Sequence, residues 1–101
     1  MDFKVIFEAT FLADLEEIVR FIARHNPDAA RRFGHLVVDW CESLAFFPER
    51  HPRVRQRPGT RRFIVMKHYK VFYRVRQETR TVEILRCWDG RRESDPRFDE
   101  P

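Results

Sequence analysis

The sequence is short of cysteine, of long apolar runs and of metal-like spacing, and each shortage removes a class of protein. Cys41 and Cys87 are its two cysteines and form no C-x-x-C pair. A disulfide-stapled secreted domain is therefore not expected, and two free, half-buried thiols in a cytoplasmic protein are. His25, His35, His51 and His68 stand apart from the cysteines and from one another, so no metal site and no cofactor are expected. No run approaches the roughly 18 apolar residues of a membrane span. The N-terminus, MDFKVIFEA, is acidic at its second position and lacks the shape of a signal peptide. Internal repeats and low-complexity tracts are also missing.

What is present suits one small domain. A chain of 101 residues can bury one core but not two. Hydrophobic residues make up 43% of it, with ten phenylalanines, enough for a packed interior. The formal charge is +4, the isoelectric point is near 9.6 and the cations are mostly arginine. Arginine binds carboxylate and phosphate bidentately, so an acidic protein or a nucleic acid is the partner class such a surface favours.

The most regular stretch is Tyr69 to Trp88. Val71, Tyr73 and Val75 alternate with Lys70, Phe72, Arg74 and Arg76, the period of a strand with one face on a core and a basic face outward. Gln77 to Arg80 read as a turn, and Val82, Ile84 and Leu85 as a second strand, making a hairpin. A hairpin alone is marginal and needs cover. The cover comes from upstream. Phe3 to Phe7 reads as a strand. Thr10 is a candidate N-cap for a helix whose stripe is Phe11, Leu12, Leu15, Ile18, Val19 and Ile22. Phe21 lies off that stripe, a candidate partner contact. Asn26, Pro27 and Asp28 start a second helix, with Phe33, Leu36, Val37, Trp40, Leu44 and Phe47 at helical spacing until Pro48. The short link makes the helices antiparallel neighbours.

Arg50 to Arg62 holds six arginines and no acid, with Pro52, Pro58 and Gly59 marking it as an irregular loop and Val54 pinning it to the body. Phe63 to Met66 reads as a strand leading into the hairpin. The fold expected is α+β with two layers: an antiparallel helical hairpin on one face of a small, mostly antiparallel sheet, in the order β-α-α-β-β-β. Residues 1–92 form the domain. Residues 93–101, polar with two prolines, read as a loose tail. Trp40, Phe33, Leu15, Ile18, Val71 and Tyr73 are expected in one core.

Four segments, DLEEIVRFIARHNPDAARRF from Asp14, SLAFFPERHPRV from Ser43, GTRRFIVMKHYKVFYRV from Gly59 and VEILRCWDGRR from Val82, resemble the ParE/RelE toxin superfamily over about residues 3 to 92. These are the toxin halves of bacterial type II toxin–antitoxin, or plasmid stabilisation, modules. The resemblance implies a hetero-oligomer with a cognate acidic antitoxin. RelE-like members cut mRNA on the ribosome with basic residues around the open sheet face. ParE-like members share the fold and poison DNA gyrase. In the ribonuclease alternative Lys70, Arg74 and Arg91 are the candidate catalytic cations. However, the chain continues ESDPRFDEP after Arg92, with neither Tyr nor His where a proton carrier belongs, and His68 and Tyr69 suit a turn at a strand entry. The ParE-like reading is preferred, a non-enzymatic gyrase inhibitor causing growth arrest. On that reading Arg86, Trp88, Arg91 and Arg92 meet the target, while Phe21, Arg50, Arg53, Val54, Arg55 and Arg57 meet the antitoxin.

Overall fold

The computed structural model describes residues 2–98. In chain order they form β1 (Lys4–Phe7), α1 (Ala9–Ala23), α2 (Pro27–Glu42), β2 (Arg53–Val54), β3 (Arg57–Val65), β4 (Tyr69–Arg76) and β5 (Thr81–Asp89). Two short 3-10 turns, Ser43–Ala45 and Pro48–Arg50, link α2 to β2. The sheet order is β1-β5-β4-β3-β2. β1 runs parallel to β5, and the other neighbouring pairs are antiparallel. Both helices lie on one face of the sheet, the two-layer α+β arrangement that the patterning predicts. No helix among the described residues is long and apolar enough to cross a membrane.

Local chemistry sets the helix ends. Asn26 accepts a hydrogen bond from the Ala29 amide at 3.0 Å, and Pro27 occupies the first helical position of α2, where its missing N–H costs nothing. Thr10 is not the cap of α1. The chain turns straight from β1 into the helix, Glu8 takes the cap position, and the Thr10 hydroxyl donates to the Leu85 carbonyl at 2.8 Å.

The core is filled from α1 by Phe11, from α2 by Phe33, Val37 and Cys41, and from the sheet by Val71, Tyr73, Val82 and Ile84. Leu15 and Ile18 pack against it, partly buried. The Tyr73 hydroxyl reaches through to donate to the Pro48 carbonyl at 2.6 Å. Trp40 does not belong to this core and is 48% exposed. Its direction lies only about 60° from the centre of the buried stripe of α2 at 100° per residue. What fails is the cover: α2 overhangs β3, and the only strand beyond β3 is the two-residue β2. Phe47 is likewise no part of the helix. It sits in the left-handed region at φ 48° and is 83% exposed.

The arginine-rich loop is more regular than its prolines suggest. β3 begins at Arg57 and runs through Pro58 and Gly59, and β2 pairs with it at Arg53 and Val54. Proline is tolerated because β3 meets β4 only from Arg61 onward, so no ladder bond to β4 is asked of Pro58. The segment from Ser94 to Phe98 packs on the sheet. Pro96 is buried there, and the Lys70 ammonium holds the Asp95 carboxylate at 2.9 Å. The rest of the expected tail, residues 99–101, lies outside the described residues.

Candidate functional site

β4 turns Lys70, Phe72, Arg74 and Arg76 away from the helices, and β5 adds Glu83, Arg86 and Trp88 beside them. Each cation of the ribonuclease alternative already has an acidic partner. Lys70 pairs with Asp95. Arg74 and Arg76 both donate to Glu83, at 2.9 and 3.1 Å. Burial alone pushes the Glu83 carboxyl up, but these two hydrogen bonds outweigh it and hold it below its ordinary value. Arg91 clamps Asp89 at 2.9 and 2.7 Å and draws that carboxyl down to about 2. The two tyrosines of β4 face the other way. Burial raises the Tyr73 hydroxyl to about 12 and raises Tyr69 as well. His68 occupies the turn between β3 and β4, its ring against Tyr69 with centroids 4.4 Å apart.

The end of β5 brings the expected target residues together, but they are not equivalent. Arg86 is structural. It donates twice to Asp14 of α1, at 2.7 and 2.9 Å, and Asp14 also accepts from the Cys87 amide. Since β1 pairs with β5 only as far as Ile84, Thr10 and Asp14 of α1 complete the edge of β5 beyond that point. Arg92 is exposed, its guanidinium 4.2 Å from the centre of the Trp88 ring. Gly90 fixes the approach of this end to the β3–β4 turn: its amide donates to the His68 carbonyl at 2.6 Å, and a Cβ at Gly90 would stand 2.6 Å from that oxygen.

The expected antitoxin residues are spread more widely. Phe21 is 52% exposed on α1 and packs edge-on against His25, in the link just beyond that helix. Arg50 ties the loop to the end of α2 through the Phe46 carbonyl and the Ser43 hydroxyl. Val54 is buried, Arg57 lies over the Phe98 ring, and Arg53 and Arg55 are exposed. Beside them lies a surface built on Trp40, which the sequence reading assigned to the core. Trp40, His51, Pro52, Arg62, Phe63 and Ile64 line a groove of about 260 Å³. Burial and the neighbouring Arg50 lower the His51 pKa, which favours its neutral ring. The signal for this groove was present in α2, where Leu36 and Trp40 form a second stripe, one turn apart, beside the buried one.

The model of the ParE toxin family of type II toxin–antitoxin systems, parDE, matches residues 5–94. The chain belongs to the ParE toxin family. No curated protein matches it. Among solved structures, a chain of the Mycobacterium tuberculosis RelBE2 toxin–antitoxin complex is 26% identical, with 88% of this chain and 99% of that one covered at a TM-score of 0.67. A chain of the chromosomal ParDE system of P. aeruginosa is 19% identical, with 86% and 95% covered at 0.71. A doubly substituted E. coli RelE toxin in the free state is 14% identical, with 90% and 86% covered at 0.52. This ParE-family chain is thus a type II toxin of the ParE/RelE superfamily, and an antitoxin is its expected partner.

Proposed function

We propose that this toxin arrests growth by binding DNA gyrase through the exposed end of β5, and that it does so without catalysis. The observation carrying this reading is the chemistry of the outer sheet face. Lys70, Arg74 and Arg91 each hold a carboxylate of the chain itself, and both tyrosines of β4 are turned into the core. General acid–base catalysis needs a proton carrier within hydrogen-bond reach of the reacting group. An mRNA phosphate would also have to displace Asp95, Glu83 and Asp89 to reach these cations. The Arg92–Trp88 pair, an exposed guanidinium over a half-buried indole, is instead the kind of cation–aromatic contact that protein interfaces use.

The test sets purified toxin with gyrase and relaxed plasmid beside a ribosome–mRNA cleavage assay. Arg91→Ala with Arg92→Ala is expected to abolish gyrase inhibition and growth arrest while fold and antitoxin binding persist. Lys70→Ala and His68→Ala are expected to change little. Ribosome-dependent mRNA cleavage that disappears in a folded Lys70→Ala protein would overturn the reading in favour of a ribonuclease.

The antitoxin, on the same reading, lays an acidic amphipathic segment over the Trp40 groove, steered by Arg53, Arg55 and Arg62 at its rim, with Phe21 as a second anchor on α1. Trp40→Ala with Arg55→Glu should weaken the complex at least tenfold in a titration. Unchanged affinity removes the groove, and unchanged affinity in Phe21→Ala removes that anchor.

A further inference from the structure

Phe72 points away from the helices, to the side a bare sheet would leave in water, yet it is fully buried. Its cover is the segment Ser94–Phe98. The Phe98 ring packs edge-on against Phe72 with centroids 5.3 Å apart, beneath the Arg57 guanidinium at 4.4 Å. Asp95 accepts from Lys70. The Ser94 carbonyl accepts from the Trp88 indole at 2.9 Å, and the Arg97 carbonyl from Arg86. This segment has neither helix nor strand of its own. Its order comes from side chains of β3, β4 and β5 matched to one carboxylate, one ring and two carbonyls, which is how a short peptide ligand is held.

We propose that Ser94–Phe98 is a tethered ligand, and that the outer face is a binding site for an acidic peptide segment with an aromatic side chain three residues after the acid. The chain's own segment holds the site until a partner segment of that chemistry displaces it. The inference rests on reading the outer face as a protein-binding surface, and names the chemistry that surface accepts. A nucleic acid fits it less well. Asp14 and Glu83 stand among the cations and repel a run of phosphates, whereas a peptide brings a single carboxylate and neutral carbonyls. A site occupied by its own tether shows an affinity for added ligand reduced by the fraction of time it stands open.

The test uses the full chain, labelled with nitrogen-15, and reads the Trp88 indole N–H resonance. The probe is the end-blocked pentapeptide Ser-Asp-Pro-Arg-Phe. In an Asp95→Lys, Phe98→Ala variant the Trp88 resonance is expected to leave its wild-type position. Added peptide should return it, with affinity at least about tenfold tighter than for the wild-type chain. Asp95→Ala alone, a milder change, is expected to give a smaller shift in the same direction. A Trp88 resonance unmoved by these substitutions overturns the proposal, as does equal peptide affinity for wild type and variant. A variant that ignores the peptide but binds a ten-residue oligothymidylate makes the face a nucleic-acid site. Neither probe contains gyrase, so a negative gyrase assay leaves this result standing, and a negative result here leaves the gyrase reading standing.

Discussion

The two faces of this sheet are covered by different means. The inner face is closed by two helices and the 3-10 turn after them, whose Phe11, Phe33, Val37 and Leu44 interlock with Val71, Tyr73, Val82 and Ile84. The outer face is covered at Phe72 by Ser94–Phe98, through an ion pair, the contacts of the Phe98 ring with Phe72 and Arg57, and two carbonyls. The inner cover buries many large apolar side chains and the outer one mainly Phe72, so the first contributes several times more to stability. On the tethered-ligand proposal the second is removable without unfolding the first.

Substitutions on the two faces should separate sharply. Phe33→Ala, on the inner face, should lower unfolding free energy by about 3–5 kcal/mol in urea titration. That is a large share of the roughly 5–15 kcal/mol available to a small domain. Asp14→Ala, at the seam where α1 closes the edge of β5, should cost about 3 kcal/mol, because it removes both carboxylate hydrogen bonds of Arg86 and leaves the Cys87 amide unpaired. Tyr73→Phe should cost about 1–2 kcal/mol by leaving the Pro48 carbonyl unpaired. Phe98→Ala, on the outer face, should cost about 1 kcal/mol of stability, through the Phe72 ring pair and the Arg57 contact it loses. A loss at Phe98 as large as that at Phe33 would abolish the distinction.

A further effect is one of pH. The Arg91 clamp depresses the Asp89 carboxyl from 3.8 to about 2. A depressed acid contributes stability at pH values above its unfolded pKa, and loses it as pH falls toward the folded one. The contribution of Asp89 should thus fade between about pH 4 and pH 2. A carboxyl titration followed by NMR should find a midpoint near 2 in the wild type and a higher one in Arg91→Ala, where only the backbone amide still holds the carboxylate.

The layers were legible because period-two and period-3.6 patterns report which side of an element meets apolar neighbours. Val71 and Tyr73, and Phe33 and Val37, read correctly for that reason. Trp40 misread because periodicity gives the direction of a side chain but not whether a strand lies beneath it. Pro58 misread because its penalty depends on whether a neighbouring strand asks for its amide. The Asp14–Arg86 pair joins residues 72 positions apart, and no local pattern marks it. The tail misread because its order is borrowed from Lys70, Phe72 and Trp88, and a composition argument treats a segment as if it stood alone. The candidate site suffered most from this. Its cations were visible in the sequence, whereas the carboxylates that occupy them were known only once the chain was folded.

The parallel pairing of β1 with β5, with Lys4 opposite Thr81, has a kinetic consequence. The first strand synthesised is seated by the last, so this contact closes nearly the whole chain into a loop, and contacts of such long sequence separation slow folding. The helical hairpin of α1 and α2 is local and is expected to form early, but its apolar stripe finds β4 and β5 only when almost all of the toxin has been made. During synthesis the nascent chain therefore displays the helices' apolar surface while the sheet that covers it does not yet exist, and the folded shape arrives late, nearly all at once.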